Sequence, residues 1–553
     1  MSASDKKKLR KEQTAASLTE RQRQEQAEAK KLKIYTISFV SVIALIACIA
    51  ITVLVVRLVN NSGIIQKNTV AATVGEHKLN SVELSYYYND AVSAFYNEQS
   101  SQYSDYTDQY LQVLGLDPAK PLDEQVYDEE SGQTWADYFV DTAIANAKND
   151  YALYDLAMQE GFTLPGEDQT TLDNLLNNLE TYASLSGYGN SNQYLRAMYG
   201  YGADADSYGK YSERSAVADA YKQAHKEGLT YDDTAIREHE ADSASKYNSY
   251  TYSSAYLSYT DFRQGGTEDE DGNKTYSEEE NNAGRDAMKL AAEDMATATS
   301  VEELKEKAAA AAINDESQLA VNESENVLHT EINAPLADWL SAEERKEGDI
   351  AAIPNTSTTT DADGNETTVT NGYYVAIFHS KNDNTKKMAN VRHLLVEFQG
   401  GETDETTGET TYNDTEKAEA KEAAEGYLKT WQEGDATEES FIALVKEHSD
   451  DSSAEDGGLF EDIHPDSNYV ENFLNWSISA DRKPGDADVI ETEYGYHVMY
   501  YVGEAELSYR DYMITNEMRT ADHDAWYNGI IDAVATTKGD TSKMELGLIL
   551  SVG

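Results

Sequence analysis

The sequence predicts a multidomain α+β chain behind a single membrane-spanning helix. Three observations predict it. Ile34 to Val56 is a run of 23 residues without one charged side chain. Residues 80 to about 240 repeat apolar side chains at helical spacing. From about 245 to 504, one order of strand, acidic loop, helices, Trp segment and strand occurs twice.

The apolar run is long enough to cross a bilayer as a helix. Residues 1–33 carry ten Lys or Arg against five Asp or Glu, so this basic tail is expected in the cytoplasm and everything after Arg57 outside. The "LIAC" at 45–48 also fits a lipoprotein cleavage box. The apolar "IAITVLVV" after Cys48 favours the spanning helix. Residues 58–553 hold 33 basic and 96 acidic side chains, a charge of −63. Such a surface excludes a nucleic-acid partner, which needs a basic footprint. Cys48 is the sole cysteine, so no intramolecular disulfide and no cysteine zinc site is possible. The 39 tyrosines offer apolar area with a polar tip, suited to wet clefts and interfaces.

"VAATVGEHKL" at 70–79 reads as a short strand. Asn80 then caps a helix with Glu83 at the capping-box position, and Leu84, Tyr87, Tyr88, Ala91 and Phe95 follow. "WADYFVDTAIANAKNDYALYDLAMQEG" and "YSERSAVADAYKQAHKEG" are further helices, and "SLSGYGNSNQY" reads as a polar loop. A helical domain is expected over 68–244.

The duplication is legible residue by residue. "LADWLSAEERKEGDIAAI" at 336–353 matches "FLNWSISADRKPGDADVI" at 473–490. Trp339 aligns with Trp476, Arg345 with Arg482, and Gly348-Asp349 with Gly485-Asp486. The tryptophans are expected in cores and the Asp residues in turns. "AYLSYTDFRQGG" aligns with "VRHLLVEFQGG", and "NGYYVAIF" with "YGYHVMYY". The copies are expected over 245–385 and 387–504. In this alignment Leu257 falls opposite His393 and Tyr374 opposite His497, so only the second copy has two strand histidines. Ala420, Ala423, Ala424, Tyr427, Leu428 and Trp431 make one helical stripe there. Phe441, Leu444, Val445 and His448 make another. The segments 354–372 and 400–414 read as polar loops. Residues 505–553 read as a helix with Tyr512, Trp526 and Ile530, then a weak tail. Histidines 77, 225, 239, 329, 379, 464 and 523 are scattered, and no metal or other cofactor is expected.

The second copy carries, in order, His393 in a strand, "HSDDSSAEDGGLF" at 448–460, "NYVENF" at 468–473 and "VIETEYGYHVM" at 489–499. This resembles the parvulin family of peptidyl-prolyl isomerases over about 118 residues. The layout of anchor, helical chaperone-like domain, parvulin domain and C-terminal helix resembles membrane-anchored PrsA/SurA-like foldases. The resemblance implies a small antiparallel sheet whose adjacent strands bring His393 and His497 beneath the substrate proline. It implies Asp451 as an electrostatic partner near the carbonyl and Thr492 as support for the histidine pair. It implies Leu459, Tyr469 and Phe473 as the apolar wall, with Tyr469 where the family usually has Met and "GGLF" where it has "GGDLG". The first copy becomes a degenerate parvulin-like unit.

The expected activity is cis-trans isomerisation of X–Pro bonds in unfolded exported polypeptides, by an enzyme held at the cell membrane with its ectodomain outside. Glu402, Asp404, Glu405, Glu409 and Asp414 follow the first strand with no Lys or Arg before Lys417, so unmodified rather than phosphorylated proline segments are expected. Two other readings differ in class. One is a holdase with both copies silent. The other is an assembly or adhesion protein using its Tyr-rich surface.

Overall fold

The computed structural model describes residues 2–16, 20–241, 243–268, 273–311, 319–360, 366–403, 408 and 410–548. The chain is mixed α+β. Helix α1 (Glu20–Ser62) contains the apolar run. Its Ala27–Val59 segment, of mean hydropathy 3.1 over its apolar window, is long and apolar enough to cross a membrane.

The described residues group into two compact units, one of residues 1–229 with 522–553 and one of 230–521. In the first, the expected strand at 70–79 is a hairpin, β1 (Val70–Val74) and β2 (His77–Asn80). Gly75 turns it at a φ of 55°, which a side chain would resist. Asn80 caps α2 (Ser81–Tyr103) by accepting from the Val82 and Glu83 amides. Glu83 does not return the bond; its carboxylate pairs with Arg214 at 2.9 Å. A reciprocal Thr134–Asp137 box opens α3 (Trp135–Glu160), and Gly161 closes it in the left-handed conformation. The polar "SLSGYGNSNQY" is only partly a loop. Asn190 accepts from the Gln193 amide and starts α4 (Ser191–Tyr199). Helix α5 (Ala205–Gly228) follows.

Tyrosine serves this core more than its rim. Tyr86 and Tyr88 are fully buried, with their hydroxyls on Ser207 Oγ at 2.8 Å and the Leu546 carbonyl at 2.7 Å. Such partners remove the cost of burying the polar tip.

The second unit contains two four-stranded antiparallel sheets. The first comprises β3 (Ser249–Ser258), β4 (Asn322–Leu328), β5 (Ile350–Thr360) and β6 (Glu366–Asn382), in the order β4-β3-β6-β5. The second comprises β7 (Lys387–Glu397), β8 (Leu459–Ile463), β9 (Ala487–Glu491) and β10 (Gly495–Ser508), in the order β8-β7-β10-β9. Strand for strand the orders are the same. The first sheet packs one face on α6 (Glu278–Met295) and the other on α7 (Ala334–Ser341). The second packs one face on α8 (Asp414–Glu433) and α9 (Glu438–His448), the other on α10 (Glu471–Ile478). Ala420, Ala424, Trp431, Phe441 and Val445 are buried in that helical face.

The aligned Trp segments fold alike. Arg345 lies 4.0 Å over the Trp339 ring and Arg482 lies 4.1 Å over Trp476. Asp349 and Asp486 each accept the amide three residues before them, from Lys346 and Lys483, at 2.9 Å. These carboxylates hold turns.

The supposed loop at 354–372 is largely a β-ribbon. Thr356 pairs with Thr370 and Thr358 with Thr368 across β5 and β6. β-Branched threonines favour a strand despite their polarity. The strand histidines also align differently. With Gly372 matched to Gly495, register places Ser254, not Leu257, at the position of His393, because Ser254 pairs with Ala376 as His393 pairs with Met499. A 3₁₀ turn at Tyr259–Phe262 absorbs the three-residue offset.

Helix α11 (Tyr509–Asp532) leads to a tail that is not weak. Its strand β11 (Thr536–Lys538) pairs antiparallel with β1, Ala72 opposite Lys538. Met544 is buried in the core of the first unit, against which Leu546 and Leu548 also pack. Met544→Ala is expected to destabilise this unit by about 2 kcal/mol, the lower end for truncating a buried Met. A lower urea midpoint of the tyrosine signal checks it.

Candidate active site

The site is built on the face of the second sheet that carries α10. Along β7, Val391, His393 and Leu395 point to this face, and on β10 so do His497, Met499 and Tyr501, because cross-strand partners share a face. His393 Nδ1 lies 2.9 Å from His497 Nδ1. The rings are nearly parallel, 21° apart, and both residues are buried, 2 % and 5 % exposed.

Each outer ring nitrogen has a partner. His497 Nε2 is 2.9 Å from Thr492 Oγ1, itself buried. His393 Nε2 is 3.5 Å from Asp451 Oδ1 and 3.4 Å from Ser453 Oγ. A carboxylate only accepts, so His393 Nε2 carries the hydrogen toward Asp451. His393 Nδ1 then accepts from His497 Nδ1–H, and His497 Nε2 accepts from the Thr492 hydroxyl. One continuous chain of donors runs Thr492–His497–His393–Asp451. The backbone fixes its far end: the Asp450 amide donates to the Leu395 carbonyl at 2.9 Å, and the Ser449 hydroxyl accepts from the Leu395 amide at 3.1 Å. Asp451 Oδ1 also accepts from Ser453 N at 2.8 Å and from the Ser453 hydroxyl.

Burial, and secondarily His393, pushes His497 down to about 3 from its ordinary 6.5. The hydrogen bond from His393 holds the Asp451 carboxylate well below the usual carboxylate range. Between pH 3 and 6.5 the unfolded chain therefore binds a proton that folded His497 refuses, so stability rises with pH across that window. Asp451 contributes stability that is complete above 3.8 and is lost as pH falls through its folded value. Both act in one direction. The urea midpoint of the second unit is expected to fall as pH drops below about 6.5. His497→Asn is expected to flatten that slope, read by comparing the two midpoint-versus-pH curves.

The apolar wall differs from expectation at one residue. Leu459 pairs with Arg392 in register and so lies on the opposite, helix-covered face. Arg392 there pairs with Glu438 at 2.8 Å. Phe460, opposite Val391, takes the place beside the histidines, with its ring 5.0 Å from His393. Phe473, 3 % exposed, stands 5.4 Å from His393 and 5.7 Å from His497. Tyr469, 37 % exposed, closes the rim at 5.3 Å from Phe473 and 5.5 Å from Phe460. The structure thus brings together His393, His497, Asp451, Thr492, Tyr469 and Phe473, and leaves Leu459 out. Sequence reasoning missed Phe460 and Ser453. The signal for Phe460 was the two-residue alternation of a strand that begins at Leu459; Ser453 sits inside the quoted "SDDSSA" without a distinguishing pattern.

The turn before β8 is tight. Gly458 has a φ of 64°, and its carbonyl accepts from the His393 amide at 2.9 Å. A Cβ there would stand 2.1 Å from the His393 carbonyl oxygen. His448 stays outside the site, stacked on Tyr427 with centroids 4.6 Å apart. Two of the scattered histidines do meet, His225 and His523, at 3.3 Å in the first unit. In the acidic segment, Glu402 and Asp414 are described, whereas Asp404, Glu405 and Glu409 lie outside the described residues.

Comparison with known proteins returns no match among curated proteins. Among solved structures, the PPIase domain of TbPar42 matches at 23 % identity and a TM-score of 0.16, over 21 % of this chain and 98 % of that one. PrsA from Bacillus subtilis matches at 23 % identity and a TM-score of 0.17, over 27 % of this chain and 49 % of that one, so the match spans about half of PrsA. The isomerase ESS1 from Candida albicans matches at 15 % identity and a TM-score of 0.17, over 27 % and 95 % of the two chains. The family model described as the PPIC-type PPIASE domain matches residues 374–504. The chain therefore carries a parvulin-type peptidyl-prolyl isomerase domain on the sheet that holds the histidine pair.

Proposed function

We propose that this protein is a membrane-tethered, extracytoplasmic foldase that isomerises X–Pro bonds in exported polypeptides. The observation that carries the reading is the buried His393–His497 pair beside an apolar wall. The apolar helix α1 supports the tether, and the basic tail before it supports an outward ectodomain. Residues 387–504 act as the catalytic copy. Residues 245–385, with Ser254 and Tyr374 at the histidine positions, act as a silent copy of the same unit. The helical residues 68–244 and the silent copy contact the unfolded client.

The reaction asks for little covalent chemistry. Amide resonance sets a rotational barrier of about 18–20 kcal/mol, and uncatalysed exchange takes tens to hundreds of seconds. An enzyme lowers the barrier by binding the twisted amide better than either planar form. Twisting takes electron density off the C–N bond, and a dry site with fixed dipoles favours that distribution. Phe460, Tyr469 and Phe473 seat the proline ring. The histidine chain fixes the pocket floor, and Asp451 sets the field beside the carbonyl. Asp451 is not a nucleophile here, since no group is transferred. Glu402 and Asp414, in the acidic segment that follows β7, add negative charge that disfavours a phosphate, so unmodified segments are preferred.

The test is exchange NMR on a panel of X–Pro peptides with the full chain in detergent micelles. Faster cis-trans exchange is the expected result. No acceleration with any peptide by the folded protein would leave a holdase with two silent copies.

A further inference from the structure

A cavity of about 220 Å³ lies at the other end of the catalytic sheet face, outside the histidine cluster. Its walls are Met388, Ile463, Ile478, Tyr501 and Tyr509. An apolar cavity of about 150 Å³ already holds a benzene ring, so an aromatic or aliphatic side chain fits. Lys386 and Lys387 stand exposed among its lining residues, with Asn326 and Asn382 beside them.

Three features mark this place as more than a packing defect. First, strand β7 is irregular where it passes the cavity, with register shifts between Lys387 and Ala389 and between Asn390 and Val391. Bulges of this kind re-aim side chains beside sites. Second, His464 Nδ1 on the wall is buried without a hydrogen-bond partner among the described residues, which is uncommon for a polar atom with nothing to bind. Third, neither of the two cations makes an ion pair among the described residues. Lys386 Nζ donates to the Ile478 carbonyl, and Asp466, beside the cavity wall, accepts from the Tyr509 hydroxyl. In a chain with 101 acidic side chains against 44 basic ones, two neighbouring lysines without a carboxylate partner leave room for one from outside.

The cavity and the histidines share a face and a helix. Ala389 lines the cavity and His393 the site, four residues apart on β7, or about 13 Å at a strand's rise. Helix α10 joins the two places, with Phe473 against the histidines and Ser477 and Ile478 at the cavity. We propose that the cavity is a second anchor for the client chain, taking an apolar side chain next to a carboxylate a few residues from the proline. The client rests on the isomerase reading; the charge preference does not.

The test uses the full chain in detergent micelles and fluorescein-labelled decapeptides with one Ala-Pro bond. Each carries Phe-Glu or Phe-Lys four residues to one side of it or the other. Anisotropy titrations are expected to show Phe-Glu binding about fivefold tighter, the ceiling for an exposed ion pair. That preference runs against the net charge of −57, so nonspecific attraction would give the opposite order. The Lys386→Gln/Lys387→Gln double variant is expected to abolish it and Lys387→Glu to reverse it. Both side chains are exposed, so folding is spared. Equal affinities, or a preference that survives both variants, would overturn the proposal. A proline tetrapeptide without the anchor separates the two readings. Its exchange accelerated with no charge preference removes the cavity alone; a lysine-dependent preference without any exchange removes the isomerase alone.

Discussion

His497→Ala is expected to slow prolyl exchange by about a hundredfold or more, with the second unit still folded. Loss of one preorganised polar group from a dry site costs about 10²- to 10³-fold. His497 is the middle of a chain of donors, so its loss strands both neighbours. His393 Nδ1 loses its partner at 2.9 Å and Thr492 loses its partner at 2.9 Å. His393→Ala removes the link to Asp451 instead. If the two histidines act as one unit, the double variant is expected to be little worse than either single one, as for coupled catalytic groups. Exchange NMR on one Ala-Pro peptide, with near-UV circular dichroism as the folding control, checks all three. Full activity in His497→Ala would remove the pair from the mechanism.

Gly458→Ala is the second large effect, expected on stability and activity together. The position has a φ of 64°, and holding a non-Gly residue there costs on the order of 1–3 kcal/mol. The added methyl also meets the His393 carbonyl at 2.1 Å, so β7 or the turn must move. Gly485 is the matched control, with a φ of 93° and open space around it. Gly485→Ala carries the conformational cost alone. The difference in urea midpoint between the two variants isolates the clash. Loss of exchange activity in Gly458→Ala but not Gly485→Ala is expected, because only the first shifts the backbone of a site histidine.

The two histidines were legible because each sits in a short strand motif that the parvulin resemblance matches. His393, Asp451, Thr492 and His497 fall together in the structure, as the parvulin resemblance implied. Leu459 was not, and the reason is register. In a strand, a slip of one residue turns a side chain to the other face. The shortened "GGLF" moves Phe460 rather than Leu459 beside His393. Leu257 failed for a related cause. An alignment anchored on Phe262 and Phe398 could not register the 3₁₀ turn at Tyr259–Phe262, which makes Ser254 the counterpart of His393. The threonine ribbon at 354–360 and 366–371 was hidden by its polarity. Side chains that face solvent on both sides give no alternation to read. The tail was hidden for the same reason as any long-range pairing: three residues at 536–538 carry no signal until their partner at 72–74 is known.

That pairing dictates an order of assembly. Synthesis from the N-terminus makes β1 and β2 hundreds of residues before β11. Tyr88 and Leu546, joined by a hydrogen bond, lie 458 positions apart. The contacts of residues 230–521 lie wholly between those ends, so that unit has all of its own sequence before the other does. Contacts of long sequence separation form late, since loop closure comes before the contact that rewards it. The helical unit thus stays open at its β1 edge until Thr536–Lys538 has been made. Without Thr536–Lys538, β1 keeps an unpaired edge while the sheet that carries the histidine pair retains all four of its strands.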